Sequence, residues 1–148
     1  MVGGDGGYTF LDDITTADVG YRVWGTDLES LFQAAWNGML AVQIENPGAI
    51  RPLREADVRY SASNIELCLH GFLEEQIYLR DAKRLFARIC TLRIDSVDDE
   101  TTVISQVAGE PFDAERHKPG TDVKAVTMYR FQVRKSGRRW EATVVLDV

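Results

Sequence analysis

The sequence predicts an α+β fold: a compact single domain with mixed or antiparallel β-sheets packed against two main α-helices. Three observations support this prediction. The chain has 148 residues, near the usual size of one domain, and 45% of them are hydrophobic. Two segments carry apolar residues at helical spacing, and β-rich segments dominate from Leu85 onward. We therefore expect a flexible glycine-rich lead over residues 1–7 and one domain over 8–148.

The first third of the chain predicts two short strands and a helix. Residues 8–12 and 18–24 are typical of strands, with a loop between them. Thr26 and Glu29 form a capping-box pattern, in which the Thr26 side chain accepts a hydrogen bond from a first-turn amide and the Glu29 side chain reaches back to the amide of Thr26. Apolar residues then recur at helical spacing until Asn46-Pro47-Gly48. We place the first core helix between these two signals.

The remaining elements are predicted from the same two signals, helical spacing of apolar residues and alternation of apolar and polar residues along a strand. Residues 53–62 predict a strand, and Ser63 and Glu66 repeat the capping-box pattern at the start of a second helix that ends near Asp81. Ser136-Gly137 predicts a hairpin turn. The later strands are predicted at 86–97, 101–108, 124–134 and 138–148. Residues 109–122 contain two prolines and two glycines, which indicates a functional surface loop.

Charge and cysteine content exclude several classes of protein. The formal net charge is -6, which argues against a surface built mainly to neutralise nucleic-acid phosphates, although a local basic patch stays open. Cys68 and Cys90 have no CxxC spacing and are interpreted as two reduced core cysteines. Neither a secretory signal nor an apolar run of about 20 residues occurs, so we expect a cytoplasmic location without membrane association.

Four carboxylates at strand or loop ends are the first candidates for chemistry. They are Asp12, Asp13, Asp18 and Asp147. Carboxylate oxygens suit hard cations such as calcium or magnesium, and a carbonyl near the chain end can add a ligand. Spacing alone does not show that these residues meet, and there is no EF-hand pattern. Solvated or salt-bridged carboxylates are therefore the competing interpretation.

Three further polar residues have more than one interpretation. Lys124 lies at a loop-to-strand transition, where its cation could meet a phosphate, one of the carboxylates or an ordinary salt-bridge partner. His70 is expected to be a packing residue of the second helix, and His117 is expected to be exposed. Neither histidine has a partner for nucleophilic catalysis. Because phosphate-loop, dinucleotide-binding and HExxH motifs are missing from the sequence, nucleotide hydrolysis and hydride transfer receive little support.

The segment around residue 130 mixes aromatic and basic side chains. Its members are Tyr129, Arg130, Phe131, Arg134 and Lys135. They could form an RNA-contacting strand, but alternation on a half-buried sheet explains them more simply.

Four segments, in this order, resemble the archease family. They are Thr16-Ala-Asp-Val-Gly20, Gly109-Glu-Pro-Phe-Asp113, Gly120-Thr-Asp-Val-Lys-Ala125 preceded by His117, and Val145-Leu-Asp-Val148. The resemblance covers the chain after Gly7 and implies an archease-like α+β protein that binds a divalent metal, with calcium expected. It also implies activation of an RtcB-type RNA ligase, which joins a 3′-phosphate or cyclic-phosphate RNA end to a 5′-hydroxyl in tRNA splicing or RNA repair. GTP and manganese would act at that partner ligase.

The resemblance assigns roles to four positions. Asp18 and Asp147 would be metal ligands, and the main-chain carbonyl of Val148 would be a further ligand. Lys124 would be a positively charged functional residue beside them. The protein would have no catalytic residue of its own. It would promote guanylylation of the ligase and allow multiple turnover, and contact with RNA would be indirect or confined to the complex.

The sequence also departs from the family pattern and leaves two other functions open. Thr15 stands where the family commonly has histidine, and Met128-Tyr129 stands where it has Tyr-His, so any role of those imidazoles is absent or replaced here. One alternative is a chaperone-like modulator of another RNA-processing enzyme, such as a tRNA methyltransferase. The other is an independent metal-dependent hydrolase, for which the sequence supplies no evident base.

Overall fold

The computed structural model describes residues 5–12 and 18–148 and confirms the α+β class. In these ranges the elements run in the following order: β1 (Gly6–Leu11), β2 (Asp18–Gly25), α1 (Leu28–Gln43), a 3₁₀ turn (Pro47–Ala49), β3 (Arg54–Ala62), α2 (Ile65–Lys83), β4 (Phe86–Val97), β5 (Glu100–Glu110), α3 (Ala114–His117), β6 (Ala125–Val126), β7 (Gln132–Ser136) and β8 (Arg139–Asp147). None of these helices is long and apolar enough to span a membrane.

The strands form two antiparallel sheets. In the first sheet β8 is central, with β2 and then β1 on one side and both β6 and β7 on the other. The second sheet has the order β3-β5-β4. Both helices contact strands of both sheets, and most residues of α1 are buried. Because α1 is covered on several sides, it forms the centre of the core.

The first sheet is seated on α1 through one tyrosine. The buried hydroxyl of Tyr21 donates a hydrogen bond to the carbonyl of Ala35 at 2.8 Å. The ring of Tyr21 lies so close to Gly38 that a Cβ atom there would come within 2.5 Å of it. Only glycine allows this close approach. These contacts fix β2, and therefore Asp18 at its first residue, relative to the helix.

The first helix begins one residue later than its capping pattern predicts. Asp27 is the N-cap: its side chain accepts from the amide of Ser30 at 2.7 Å, and the Ser30 hydroxyl accepts from the amide of Asp27. The predicted pair has other partners. Thr26 accepts from the amide of Asp5, and Glu29 accepts from the amide of Ile94 in β4. The contacts of Thr26 with Asp5 and of Glu29 with β4 therefore determine that Asp27, rather than Thr26, caps the helix.

The second helix shows the same displacement. Its N-cap is Asn64 rather than Ser63, and the side chain of Asn64 accepts from the amide of Leu67 at 2.8 Å. The helix continues to Lys83, two residues beyond the predicted end. Glu66 accepts at 2.8 Å from the amide of Val133 in β7, so it joins two elements instead of closing a capping box.

Several predicted boundaries were wrong. The strand predicted at 124–134 is divided into β6 and β7, with a turn between them in which Arg130 has a φ of 56°. The predicted loop at 109–122 contains the end of β5 and the short helix α3. Strand β1 begins at Gly6, inside the predicted lead.

The two cysteines differ in their surroundings. Cys68 is buried as predicted, and burial raises the pKa of its thiol to about 11. The prediction of a core position for Cys90 was wrong, because this residue is exposed. The pairing of β4 with β5 shifts between Ile89 and Thr91, which leaves Cys90 as the extra residue of a bulge.

Candidate functional site

Asp18 and Asp147 lie directly opposite each other at one end of the first sheet. They are paired residues in the antiparallel register of β2 and β8, and both are half-buried. Directly paired residues project from the same face of a sheet with Cβ atoms roughly 4.5–5.5 Å apart. The fold thus brings together two carboxylates from opposite ends of the chain.

The donor set of this pair fits a hard cation. Like charges directly opposite each other in a sheet repel, and a cation between them would relieve that repulsion. In the described ranges no cluster of three or more His, Cys, Asp or Glu side chains is arranged to hold a metal. A site here would use two carboxylates, main-chain carbonyls such as that of Val148, and water. That set suits the oxygen-rich shell of calcium and not the nitrogen and sulfur ligands of zinc. The role of these residues as ligands stays a prediction.

Lys124 lies on the other side of Asp147. Its main-chain amide donates to the carbonyl of Asp147 at 2.8 Å, and the next residue, Ala125, pairs with Asp147 in the register of β6 and β8. The side chain of Lys124 is exposed. Asp147 of β8 therefore lies between Asp18 of β2 and the segment that carries Lys124.

The other predicted site residues are placed less closely. Val148 is half-buried and packs against the core. Asp12 is exposed and follows Leu11, which pairs with Gly20, so it lies at the same end of the sheet but one strand further from β8. Asp13 and Thr15 lie outside the described residues. Met128-Tyr129, which departs from the family pattern, is exposed in the turn after β6.

Helix α2 holds the Lys124 segment from the side opposite β8. Arg80 donates from Nη1 to the carbonyl of Val123 at 2.7 Å. The Nε2 atom of His70 lies 2.7 Å from the carbonyl of Val126. Since a carbonyl only accepts, His70 carries a proton on Nε2. The predicted packing role of His70 also holds, because its ring meets Phe131 edge-on at 5.5 Å between centroids. The Lys124 segment, residues 123–126, is thus held between α2 and β8, and we call the two contacts from Arg80 and His70 the clamp.

Sequence reasoning did not find the clamp. The bonds from Arg80 and His70 connect residues 43 and 56 positions apart, and both acceptors are main-chain carbonyls. Acceptors of this kind leave no trace in the identity of the accepting residue. In the sequence, Arg80 and His70 look like any other polar residues of an amphipathic helix.

The loop that leads to Lys124 is anchored by a buried ionic cluster. The prediction that His117 is exposed was wrong, because its side chain is 0% exposed. His117 accepts from the amide of Asp113 at Nδ1, so its Nε2 atom carries the proton and donates to Glu110 at 2.9 Å. Arg116 binds both oxygens of Glu110, at 2.6 and 2.9 Å. These bonds, with the Arg116 guanidinium first among them, lower the pKa of Glu110 to about 2.

Past the cluster, the loop docks on the end of α1. The amides of Gly120 and Thr121 donate to the carbonyls of Gln43 and Val42 at 2.9 and 2.8 Å. A Cβ atom at Gly120 would lie 2.3 Å from the Val42 carbonyl oxygen, so glycine is required there. The loop is thus held by the Glu110 cluster and by the end of α1 before it reaches Lys124.

The clamp predicts a local effect of substitution at His70. We expect His70→Ala to raise the exchange rate of the Lys124 amide roughly tenfold, because an unsatisfied carbonyl costs about 1–3 kcal/mol and loosens the segment. His70→Gln retains a side-chain donor and should restore most of the protection. Native-state hydrogen exchange by NMR measures both effects. Equal exchange in the wild type and His70→Ala would show that His70 does not hold this segment.

Comparison with known proteins identifies the family and agrees with the fold. Residues 8–148 match the model of the Archease protein family. Protein archease of Pyrococcus furiosus is 34% identical over 134 residues, which cover 90% of this chain and 94% of the relative. Protein archease of Archaeoglobus fulgidus is 29% identical over 141 residues, which cover 95% and 98%.

Two solved structures resemble this fold. The solution structure of a Methanobacterium thermoautotrophicum protein has a TM-score of 0.82 and 27% sequence identity, and the match covers 96% of this chain and 99% of the other. The crystal structure of an archease from Thermotoga maritima, described as a possible chaperone, has a TM-score of 0.60 and 24% identity, with 93% and 97% covered. At that identity the second likeness supports the fold alone.

Proposed function

The chain belongs to the archease family, and on that premise we propose that it is a metal-binding accessory protein that activates an RtcB-type RNA ligase. The ligase would use its own GTP and manganese. This chain would promote guanylylation of the ligase and allow multiple turnover in tRNA splicing or RNA repair. The observation that carries the proposal is the pairing of Asp18 with Asp147 beside the Lys124 segment.

The arrangement supports a metal that organises a contact surface. A cation between Asp18 and Asp147 would neutralise two like charges and fix the end of β8. Because the main-chain amide of Lys124 donates to the carbonyl of Asp147, fixing that end would also fix the backbone from which the lysine side chain extends. Its exposed ammonium group can then engage a phosphate or carboxylate of the ligase complex.

The same arrangement favours an accessory protein over an independent hydrolase. Catalytic zinc sites in hydrolases hold the ion with three protein ligands and leave a position open for water. Within residues 5–12 and 18–148, no third side chain of the His, Cys, Asp or Glu type joins the pair as a metal-holding group. We therefore assign the chemical step to the partner.

RNA joining by the cognate ligase tests this proposal. At fixed GTP and manganese, the wild-type protein should raise the multiple-turnover rate. Lys124→Ala should lose at least about tenfold of that stimulation, because a hydrogen bond to a charged group is worth about 1.5–3 kcal/mol. Lys83→Ala, which removes an exposed lysine at the end of α2, is the matched control and should stimulate normally.

The experiment also separates the competing function. If the wild-type protein gives no stimulation, the ligase proposal fails. Affinity capture that retains a different RNA-processing enzyme, such as a tRNA methyltransferase, in place of the ligase would then favour the chaperone-like alternative.

A further inference from the structure

The hairpin formed by β7 and β8 concentrates positive charge in an acidic protein. Residues 134–139, Arg-Lys-Ser-Gly-Arg-Arg, contain four of the 17 Lys and Arg residues of the chain, and the formal net charge of the whole is -6. All six residues are exposed. A local concentration of this kind attracts an anionic partner despite the overall charge.

The hairpin turn presents these cations in different directions. Ser136 pairs with Arg139, which leaves Gly137 and Arg138 as a two-residue turn, and Gly137 has a φ of 63°. Glycine with positive φ at the first central position is typical of a type II′ hairpin. Because side chains alternate along a strand, Arg134 and Lys135 project from opposite faces, while Arg138 lies at the tip.

Aromatic rings and one carboxylate hold part of this basic group in place. The guanidinium of Arg139 lies 5.6 Å from the ring centre of Trp24, and the ammonium of Lys135 lies 5.8 Å from that of Trp140. Glu141 binds Arg139 at 2.7 Å and lies 4.0 Å from Arg134. Even so, the side chains of Arg139 and Arg134 are 50% and 67% exposed. A single carboxylate leaves most of the positive charge available to a ligand.

A polar cleft continues from the hairpin across the exposed face of the first sheet. Its polar lining consists of Gln132, Arg134, Glu141 and Thr143, with Arg22 of the neighbouring strand β2, so two arginines face one carboxylate there. Arg22 pairs with Thr143, which pairs with Gln132, so the three side chains share one face. Arginine and hydroxyl or amide groups in a row are suited to a chain of phosphates.

We propose that this basic hairpin, residues 134–139 with the adjoining cleft, binds the phosphodiester backbone of single-stranded RNA. The face of the sheet that carries the cleft also carries one aromatic ring, Trp24, beside Arg139. A row of cations with an aromatic ring among them is typical of surfaces that follow a single strand without reading its sequence. Arginine, threonine and glutamine side chains, which line the cleft together, are the groups that contact phosphate and sugar oxygens in nucleic-acid complexes, and this supports a phosphodiester chain as the occupant. This goes beyond the expectation that contact with RNA is indirect or confined to the ligase complex.

The hairpin is separate from the candidate metal site. Strand β8 runs from Arg139 at the hairpin to Asp147 at the metal site, roughly 27 Å at about 3.3 Å per residue. The isolated protein should therefore bind RNA without the ligase. The hairpin proposal and the proposed function can then fail independently.

Fluorescence anisotropy with a labelled single-stranded RNA of about 16 nucleotides tests the inference. The double variant Arg134→Ala/Arg138→Ala should bind at least tenfold more weakly than the wild type. The slope of log affinity against log salt should become shallower by about 0.7 for each phosphate contact that is lost. The control is Arg54→Ala/Arg59→Ala, which removes the same charge from exposed positions of β3 and should leave both the affinity and the slope unchanged.

Further arms define the ligand chemistry. A single-stranded DNA of the same length that loses affinity in the same variant would support recognition of the phosphodiester backbone, and tighter binding of the RNA would identify RNA as the source. Three results would overturn the proposal: absence of RNA binding at low salt, equal weakening in the β3 control, or displacement of the RNA by polyglutamate at the same charge concentration. The last result would assign the surface to an acidic protein.

Discussion

Asp147→Asn is expected to weaken calcium binding to the isolated protein by on the order of a hundredfold, since it removes one of two carboxylates that would hold the ion. Asparagine has nearly the same shape, so the pairing of β8 with β2 and β6 should persist. The metal-free variant should therefore be about as stable as the wild type, within about 0.5 kcal/mol.

Thermal unfolding with calcium and with a chelator distinguishes these effects. Calcium should raise the melting temperature of the wild type, because a ligand that binds only the folded state stabilises it. It should leave Asp147→Asn unchanged. Asp57→Asn, an exposed aspartate in β3, serves as the control and should respond to calcium like the wild type. If calcium failed to stabilise the wild type, or stabilised Asp147→Asn equally, these carboxylates would not form the calcium site.

Glu110→Gln is expected to lower the free energy of unfolding by about 2–3 kcal/mol at neutral pH, because it removes the charge that holds a buried ionic cluster together. Glu110 accepts hydrogen bonds from Arg116, from His117 and from the amide of Arg51. A glutamine oxygen can replace only part of this acceptor capacity, and its amide hydrogens would face other donors. The loop that leads to Lys124 should loosen as a result.

The pH dependence of this effect has a defined sign. The pKa of Glu110 is about 2 in the folded protein, below the ordinary value of 4.5. A carboxyl group with a lowered folded-state pKa stabilises the fold above its unfolded pKa, and that stabilisation is lost as pH falls toward the folded value. The difference between wild type and Glu110→Gln should thus shrink between about pH 4.5 and pH 2. Urea unfolding across this range measures the difference.

A neighbouring variant supplies the control for the cluster. Glu115→Gln alters an exposed carboxylate in α3, the short helix that carries Arg116 and His117, and should change stability by less than about 0.5 kcal/mol. If Glu110→Gln were no more destabilising than Glu115→Gln, the buried cluster would not hold the loop.

The sequence predicted the long elements well because their apolar spacing decides them. Strand β4 was predicted at its observed bounds, and α1 and α2 were displaced by only one or two residues. The displaced caps have a physical cause. Thr26 and Asp27 are both good capping residues, and the choice depends on Asp5, a partner that local pattern does not reveal.

The candidate site was predictable only in part. No spacing rule connects Asp18 with Asp147, and resemblance to a family singled them out before the sheet register showed them to be neighbours. His117 was assigned to the surface because Glu115, Arg116 and Lys118 surround it in sequence. Its burial depends on Glu110 at the end of β5, and a strand end followed by a turn of helix is not visible as a pattern.

Guanylylation of the cognate RtcB-type ligase is the step that this protein would promote through its metal site. Transfer of labelled GMP from GTP to the ligase would be followed at fixed manganese, without this protein, with the wild type and with Asp147→Asn. We expect faster guanylylation and repeated turnover with the wild type, and a rate near the unassisted one with Asp147→Asn. Guanylylation that is unchanged by the wild-type protein would show that it does not activate the ligase.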